Sequence, residues 1–172
     1  MTKIILAIIL IIAVFADLRT GRVPNALTFP AMAAGLALHA GSAGMSGLFF
    51  SFKGIAAGIA VLLAPYIFLG MGAGDVKLMG AVGALIGAGE VLVAFLFAAV
   101  IGGIYGLVLL VLRGGLGEVL KKYLFALKHF LITKDFVCME GGESGSIRIY
   151  YAPAIAAGTL LALFRPEGIF FN

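Results

Sequence analysis

The chain has 172 residues and a net charge of +4, and it is 63% hydrophobic and only 12% charged, whereas soluble domains carry roughly 25% charged residues. That composition excludes an ordinary water-soluble domain and makes nucleic acid a poor partner; Lys and Arg instead report which loops stay in the cytoplasm. A single cysteine, Cys138, excludes an internal disulfide or a cysteine-based metal cluster, so helix packing must hold the fold.

The first apolar run, 4–16, follows Lys3 and ends in "AVFAD", a pattern shared with secretory signals. Its thirteen apolar residues are short for a span. Bilayer thinning and a boundary at Asp17 and Leu18 accommodate them, and a first helix over about 3–18 is expected. Pro24 and Asn25 end the next loop and start a second helix over about 25–40. A third follows over about 54–71.

The run 78–112 is 35 residues long, roughly 52 Å as one helix against a hydrocarbon core of about 30 Å. It should fold back at "GAGE", 87–90, where glycine permits positive φ, giving spans of about 75–88 and 90–112. A last span covers about 149–165. The expected fold is an all-α polytopic membrane protein with six transmembrane helices in one domain, a loop 113–148 joining spans five and six. Glycine pairs at GxxxG spacing, such as Gly54/Gly58 and Gly83/Gly87, let helix backbones approach closely; no oligomer is drawn from them.

Six spans place Arg19, Arg22, Lys77, Arg113, Lys121, Lys122, Lys128, Lys134 and Arg148 on one side, nine of the twelve basic residues. The bias puts that side in the cytoplasm and both termini outside. Within the loop, Leu116, Leu120, Tyr123, Leu127 and Leu131 recur at helical spacing opposite Lys121, Lys122 and Lys128. That is an amphipathic helix, lying either on the inner leaflet with its lysines toward anionic lipid or as a cap on the bundle.

Outside that loop the acids are Asp17, Asp75, Glu90 and Glu167. The last two read as solvated ends on the outer face. An intramembrane acid must be compensated, at about 2.5–3.5 kcal/mol for an aspartate at a helix centre. Asp17 ends the first span and Asp75 ends the third, so parity places both at one membrane face. Two carboxylates held a few ångströms apart do not both ionise easily. One can take a proton from a water attacking a peptide carbonyl while the other hydrogen-bonds the carbonyl oxygen. Gly70, Gly72 and Gly74 leave room for an extended strand beside Asp75, and irregular backbone is tolerated where it lines a wet cavity. A tight loop with Asp75 as a helix cap explains the same glycines. Lys77, Arg19 and Arg22 either support a negative site or follow the positive-inside rule.

At "DLRTGRVPNALT", "GAGDVKLMGAVGALIG" and "YYAPAIAAGTLLAL" the chain resembles the type IV prepilin peptidases, membrane aspartyl proteases of the GxGD class. The resemblance implies an endopeptidase that removes the short basic leader, typically ending in glycine before an apolar helix, from type IV pilin-like precursors at the cytoplasmic face of the inner membrane. Asp17 and Asp75 then stand at the catalytic positions, with Gly72, Gly74, Lys77, Arg19, Pro24 and Asn25 as the supporting motif and no cofactor or metal. Longer members carry paired cysteines and methylate the trimmed pilin with S-adenosylmethionine. With Asp17 near the start and one cysteine, the chain resembles the short form serving tight-adherence (Flp-type) pili, where methylation is not expected; archaeal preflagellin peptidase is a near neighbour. Glu140 and Glu143, in "CMEGGESGSIRIYYAP", are candidates to receive the basic leader. The alternative is a small ion- or proton-coupled transporter with Asp17 and Asp75 as its ion site, for which aspartates nearer the midplane and inverted repeats are expected. A structural subunit with capping aspartates is a third reading.

Overall fold

The computed structural model describes residues 2–69, 71–112 and 150–164, and every regular element among them is an α-helix. The order is α1 (Thr2–Thr20), α2 (Asn25–Leu69), α3 (Ala73–Leu112) and α4 (Ala152–Phe164). The expected amphipathic helix, the loop 113–148 with Cys138, Glu140 and Glu143, and Glu167 lie outside the described residues. The chain divides into two compact units, Met1–Gly102 with Tyr150–Asn172 and Gly103–Ile149; the packing that follows belongs to the first.

Two of the helices are too long to run straight. The 45 residues of α2 would extend about 68 Å, but Gly44 interrupts them with φ 61° and ψ −134°. A side chain rarely adopts that conformation; glycine does so without a Cβ penalty. Beyond it the chain reverses: Ser51 Oγ bonds the Gly35 carbonyl at 3.1 Å, across 16 residues that a straight helix would spread over about 24 Å. A Cβ added at Gly47 would overlap the His39 carbonyl, as two antiparallel helices in contact require.

Gly87, with φ 85° and ψ 172°, reverses α3 in the same way. Gly74 packs on Val23 near one end of α3, and Gly102, facing Ala154 and Tyr151, lies beside the start of α4. Ala152 in turn bonds Asp17, so both limbs of α3 reach the end of the molecule that holds Asp17. A straight helix would put Gly74 and Gly102 about 42 Å apart. The described residues therefore form six helical stretches: 2–20, 25–43, 45–69, 73–86, 88–112 and 152–164.

The expected long connection over 41–53 is helical apart from Gly44. Its serines are satisfied inside the helix: Ser42 Oγ donates to the His39 carbonyl at 3.2 Å and Ser46 Oγ to the Ala43 carbonyl at 2.7 Å. The other turn is sharper than the four residues anticipated, and Glu90 already lies in helix.

Along α1, Leu6, Ile9, Leu10, Ala13 and Asp17 face inward, while Ile4, Ile8, Ile11, Phe15 and Leu18 are exposed. A helix apolar on both its buried and its open faces belongs in lipid. By length and apolarity α2 over Asn25–Ile67 and α3 over Ala73–Leu109 each suffice to cross a membrane, and the chain is a membrane protein. Lipid tails are as apolar as leucine, so close packing and hydrogen bonds, rather than escape from water, must hold the helices together. Gly54 and Gly83 meet face to face, each where a Cβ would overlap the other's carbonyl. Nearby, the buried Ser51 hydroxyl reaches the Ala84 carbonyl at 2.9 Å close to the break at Gly87, where carbonyls lose their helical partners.

Candidate active site

Asp17 lies in the last full turn of α1 and Asp75 in the first turn of α3. The two are 5% and 7% exposed and close enough to act electrostatically on each other. Fifty-eight positions apart in sequence, they come together because the segments between them run up and back.

Each aspartate sits where a helix end and a short linker are pinned. Gly21 ends α1 with φ 65°, its N–H donating to the Asp17 carbonyl at 2.7 Å, the usual left-handed stop. Thr20 Oγ1 bridges the Ala16 and Arg22 carbonyls at 2.9 and 3.0 Å. The Pro24 carbonyl accepts from Leu27 N at 3.0 Å, so Pro24 opens α2 as its first acceptor, and Asn25 is the first helical residue. On the other side, Asp75 N donates to the Gly72 carbonyl at 3.1 Å. A Cβ at Gly74 would lie 2.8 Å from the Val23 carbonyl oxygen. The absence of that carbon lets α3 start hard against the 21–24 linker.

Lys77 joins the two helix starts. Its Nζ donates to Asn25 Oδ1 at 2.9 Å and stands 5.2 Å from the centroid of the Phe29 ring. Arg19, by contrast, is exposed and stacks on Phe15 of its own helix, 4.5 Å from the ring centroid. Arg22 lines the cleft, although its charge had pointed equally to topology. Gly70 and the pair Glu140 and Glu143 lie outside the described residues.

The cleft has a volume of about 570 Å³ and is walled by residues 20–25, Gly72–Asp75 and Lys77. That lies within the usual range of ligand pockets, roughly 300–1,000 Å³. Much of the wall is non-helical backbone, tolerated in a membrane protein where it borders a cavity. Asp75 Oδ1 is buried with no hydrogen-bond partner among the described residues; a polar oxygen left so costs about 1–3 kcal/mol.

One contact gave no warning in the sequence. The N–H of Ala152, at the start of α4, donates to Asp17 Oδ2 at 3.2 Å. A main-chain donor has no residue type to betray it, and only the Pro153 that follows marked a helix start there.

The arrangement offers two interacting carboxyl groups, one in the wall of a cleft of substrate size. Comparison with known proteins agrees on the class of molecule. No curated protein and no solved structure matches the chain. The model of the type IV leader peptidase family matches residues 4–107, more than half of the sequence and inclusive of Asp17 and Asp75. The chain belongs to the type IV leader peptidase family.

Proposed function

We propose that this leader peptidase-like protease is an aspartyl endopeptidase whose catalytic pair is Asp17 and Asp75, and that it removes the short basic leader from type IV pilin-like precursors at the cytoplasmic membrane face. The observation that carries the reading is the meeting of two buried, mutually interacting carboxyl groups beside a cleft of about 570 Å³. One carboxylate takes a proton from water as it attacks the scissile carbonyl. The other, protonated, hydrogen-bonds the carbonyl oxygen, and a proton then passes to the leaving amine. Lys77 and Asn25 hold the two helix starts in register, and Gly72 and Gly74 keep the approach to Asp75 narrow and free of side chains.

On this reading the six helical stretches are six crossings, with the linker at 21–24 and the start of α3 in the cytoplasm and the reversals at Gly44 and Gly87 outside. Positive charge at the first two, Arg22 and Lys77, favours that orientation. A transporter ion site is less well supported, since both aspartates stand at helix ends rather than in mid-span.

The test is to incubate the purified protein in detergent with a precursor bearing a basic leader, a glycine and an apolar helix, and to locate the cut by mass spectrometry. A single cut after the glycine, lost in Asp17→Asn and in Asp75→Asn, is expected. A precursor left whole by the wild type, or cut elsewhere, would refute the proposed substrate.

A further inference from the structure

Asp17 is reached from the far end of the chain. Ala152 N bonds its Oδ2 at 3.2 Å across 135 positions, and Ala152 is wholly buried. The first N–H groups of a helix have no partner within it. Ile155 N turns back to the Tyr151 carbonyl at 3.0 Å, and Pro153 has no N–H to offer. The Ala152 N–H is thus a donor that α4 does not need for itself. It sits at the positive end of the helix, where a carboxylate is favoured, and bonds of this charge-assisted kind are the stronger ones.

The donor is held independently of Asp17. Gly158, two turns on, packs against the main chain of Ala94 and Ala98 with no space for a Cβ, and Thr159 Oγ1 bonds back to the Ile155 carbonyl at 2.7 Å. Asp75 has no comparable donor on Oδ1.

We propose that the main-chain N–H of Ala152 is a positioning group for peptide cleavage, fixing the Asp17 carboxylate in the rotamer that faces Asp75. The inference rests on the two-aspartate reading. Losing the bond removes a main-chain contact that helps set where the Asp17 carboxylate points. A reacting group misplaced by about 1 Å costs up to about 100-fold in rate, so the bond acts on turnover rather than on substrate affinity.

An amide-to-ester exchange at Ala152 in the full-length protein removes the N–H and keeps the side chain. The expected result is a kcat lowered about 10- to 100-fold with KM unchanged. The same exchange at Ile155 removes a helix hydrogen bond that does not touch Asp17; it should lower the melting temperature in detergent and leave kcat alone. Wild-type kcat in the Ala152 ester, or an equal loss in both esters, overturns the proposal. As a measurement that needs no backbone change, the amide proton of ¹⁵N-labelled Ala152 should move upfield in Asp17→Ala; an unmoved resonance overturns the proposal as well. Asp17→Asn run alongside separates the two levels: if it is inactive while the Ala152 ester is normal, only the positioning role falls, whereas if it cleaves normally the two-aspartate reading falls too.

Discussion

Gly74→Ala should cripple turnover while leaving the protein folded. The new Cβ would stand 2.8 Å from the carbonyl oxygen, 3.1 Å from the nitrogen and 3.2 Å from the Cβ of Val23. Two of these are main-chain atoms of a linker pinned by the Gly21 and Pro24 hydrogen bonds, so no side chain can swing aside. Comfortable contact between such atoms needs about 3.5 Å, and relief therefore demands a shift of roughly 0.5–0.7 Å. That shift falls on the first turn of α3, one residue before Asp75. Displacements of this order in a catalytic constellation cost between one and two powers of ten in kcat. Gly72→Ala is the internal comparison. Its Cβ would meet Asp75 itself, 3.0 Å from Oδ2, so the contact is relieved by turning the carboxylate rather than by moving backbone, and turnover should fall with the melting temperature unchanged. Gly89→Ala meets nothing within 4 Å and should be neutral or stabilise by about 0.5–1 kcal/mol. Initial rates on a fluorogenic leader peptide, with melting temperatures in the same detergent, check the series. Wild-type kcat in Gly74→Ala or in Gly72→Ala would refute the steric account.

Gly87→Ala should cost about 1–2 kcal/mol of backbone strain and more from the Phe50 ring that occupies the Cβ position, read as a lower melting temperature and yield. Ser51→Ala takes from the Ala84 carbonyl the hydroxyl that meets it at 2.9 Å, while the His39 ring nitrogen keeps the Gly35 carbonyl at 3.0 Å, and should destabilise by about 1–3 kcal/mol with kcat unchanged. A double-mutant cycle on Lys77→Met and Asn25→Ala should return a coupling of roughly 0.5–1.5 kcal/mol in kcat/KM; additive losses would mean the bond between them does nothing for turnover. On a Cys138→Ser background, an impermeant maleimide should label Ser46→Cys in intact cells and Arg22→Cys only after permeabilisation, and the reverse pattern would invert the proposed topology.

The meeting of Asp17 and Asp75 was legible because parity needs only a count of spans, and two charges in so apolar a chain stand out. The fold-back of the 78–112 run was legible for a similar reason, since its length exceeded the bilayer and only one charged glycine-rich turn broke it. The stretch 41–53, between the expected second and third spans, is helical because Ser42 and Ser46 bond carbonyls one turn back and only Gly44 breaks it. Lys77 read equally as a topology signal or a site residue, and its Asn25 partner, 52 positions away, could not be found by local pattern. Ala152 was illegible in principle, because what it contributes is an N–H that nearly every residue owns.

Measuring single-turnover cleavage by the wild type, Asp17→Asn, Asp75→Asn and the double variant bears most directly on the paired aspartates. Residues that act as one unit are grossly non-additive, so each single variant should lose at least about 1,000-fold and the double variant little more, with all four proteins folded. A single variant that keeps more than about a tenth of the wild-type rate, or losses that multiply in the double variant, would contradict the pair.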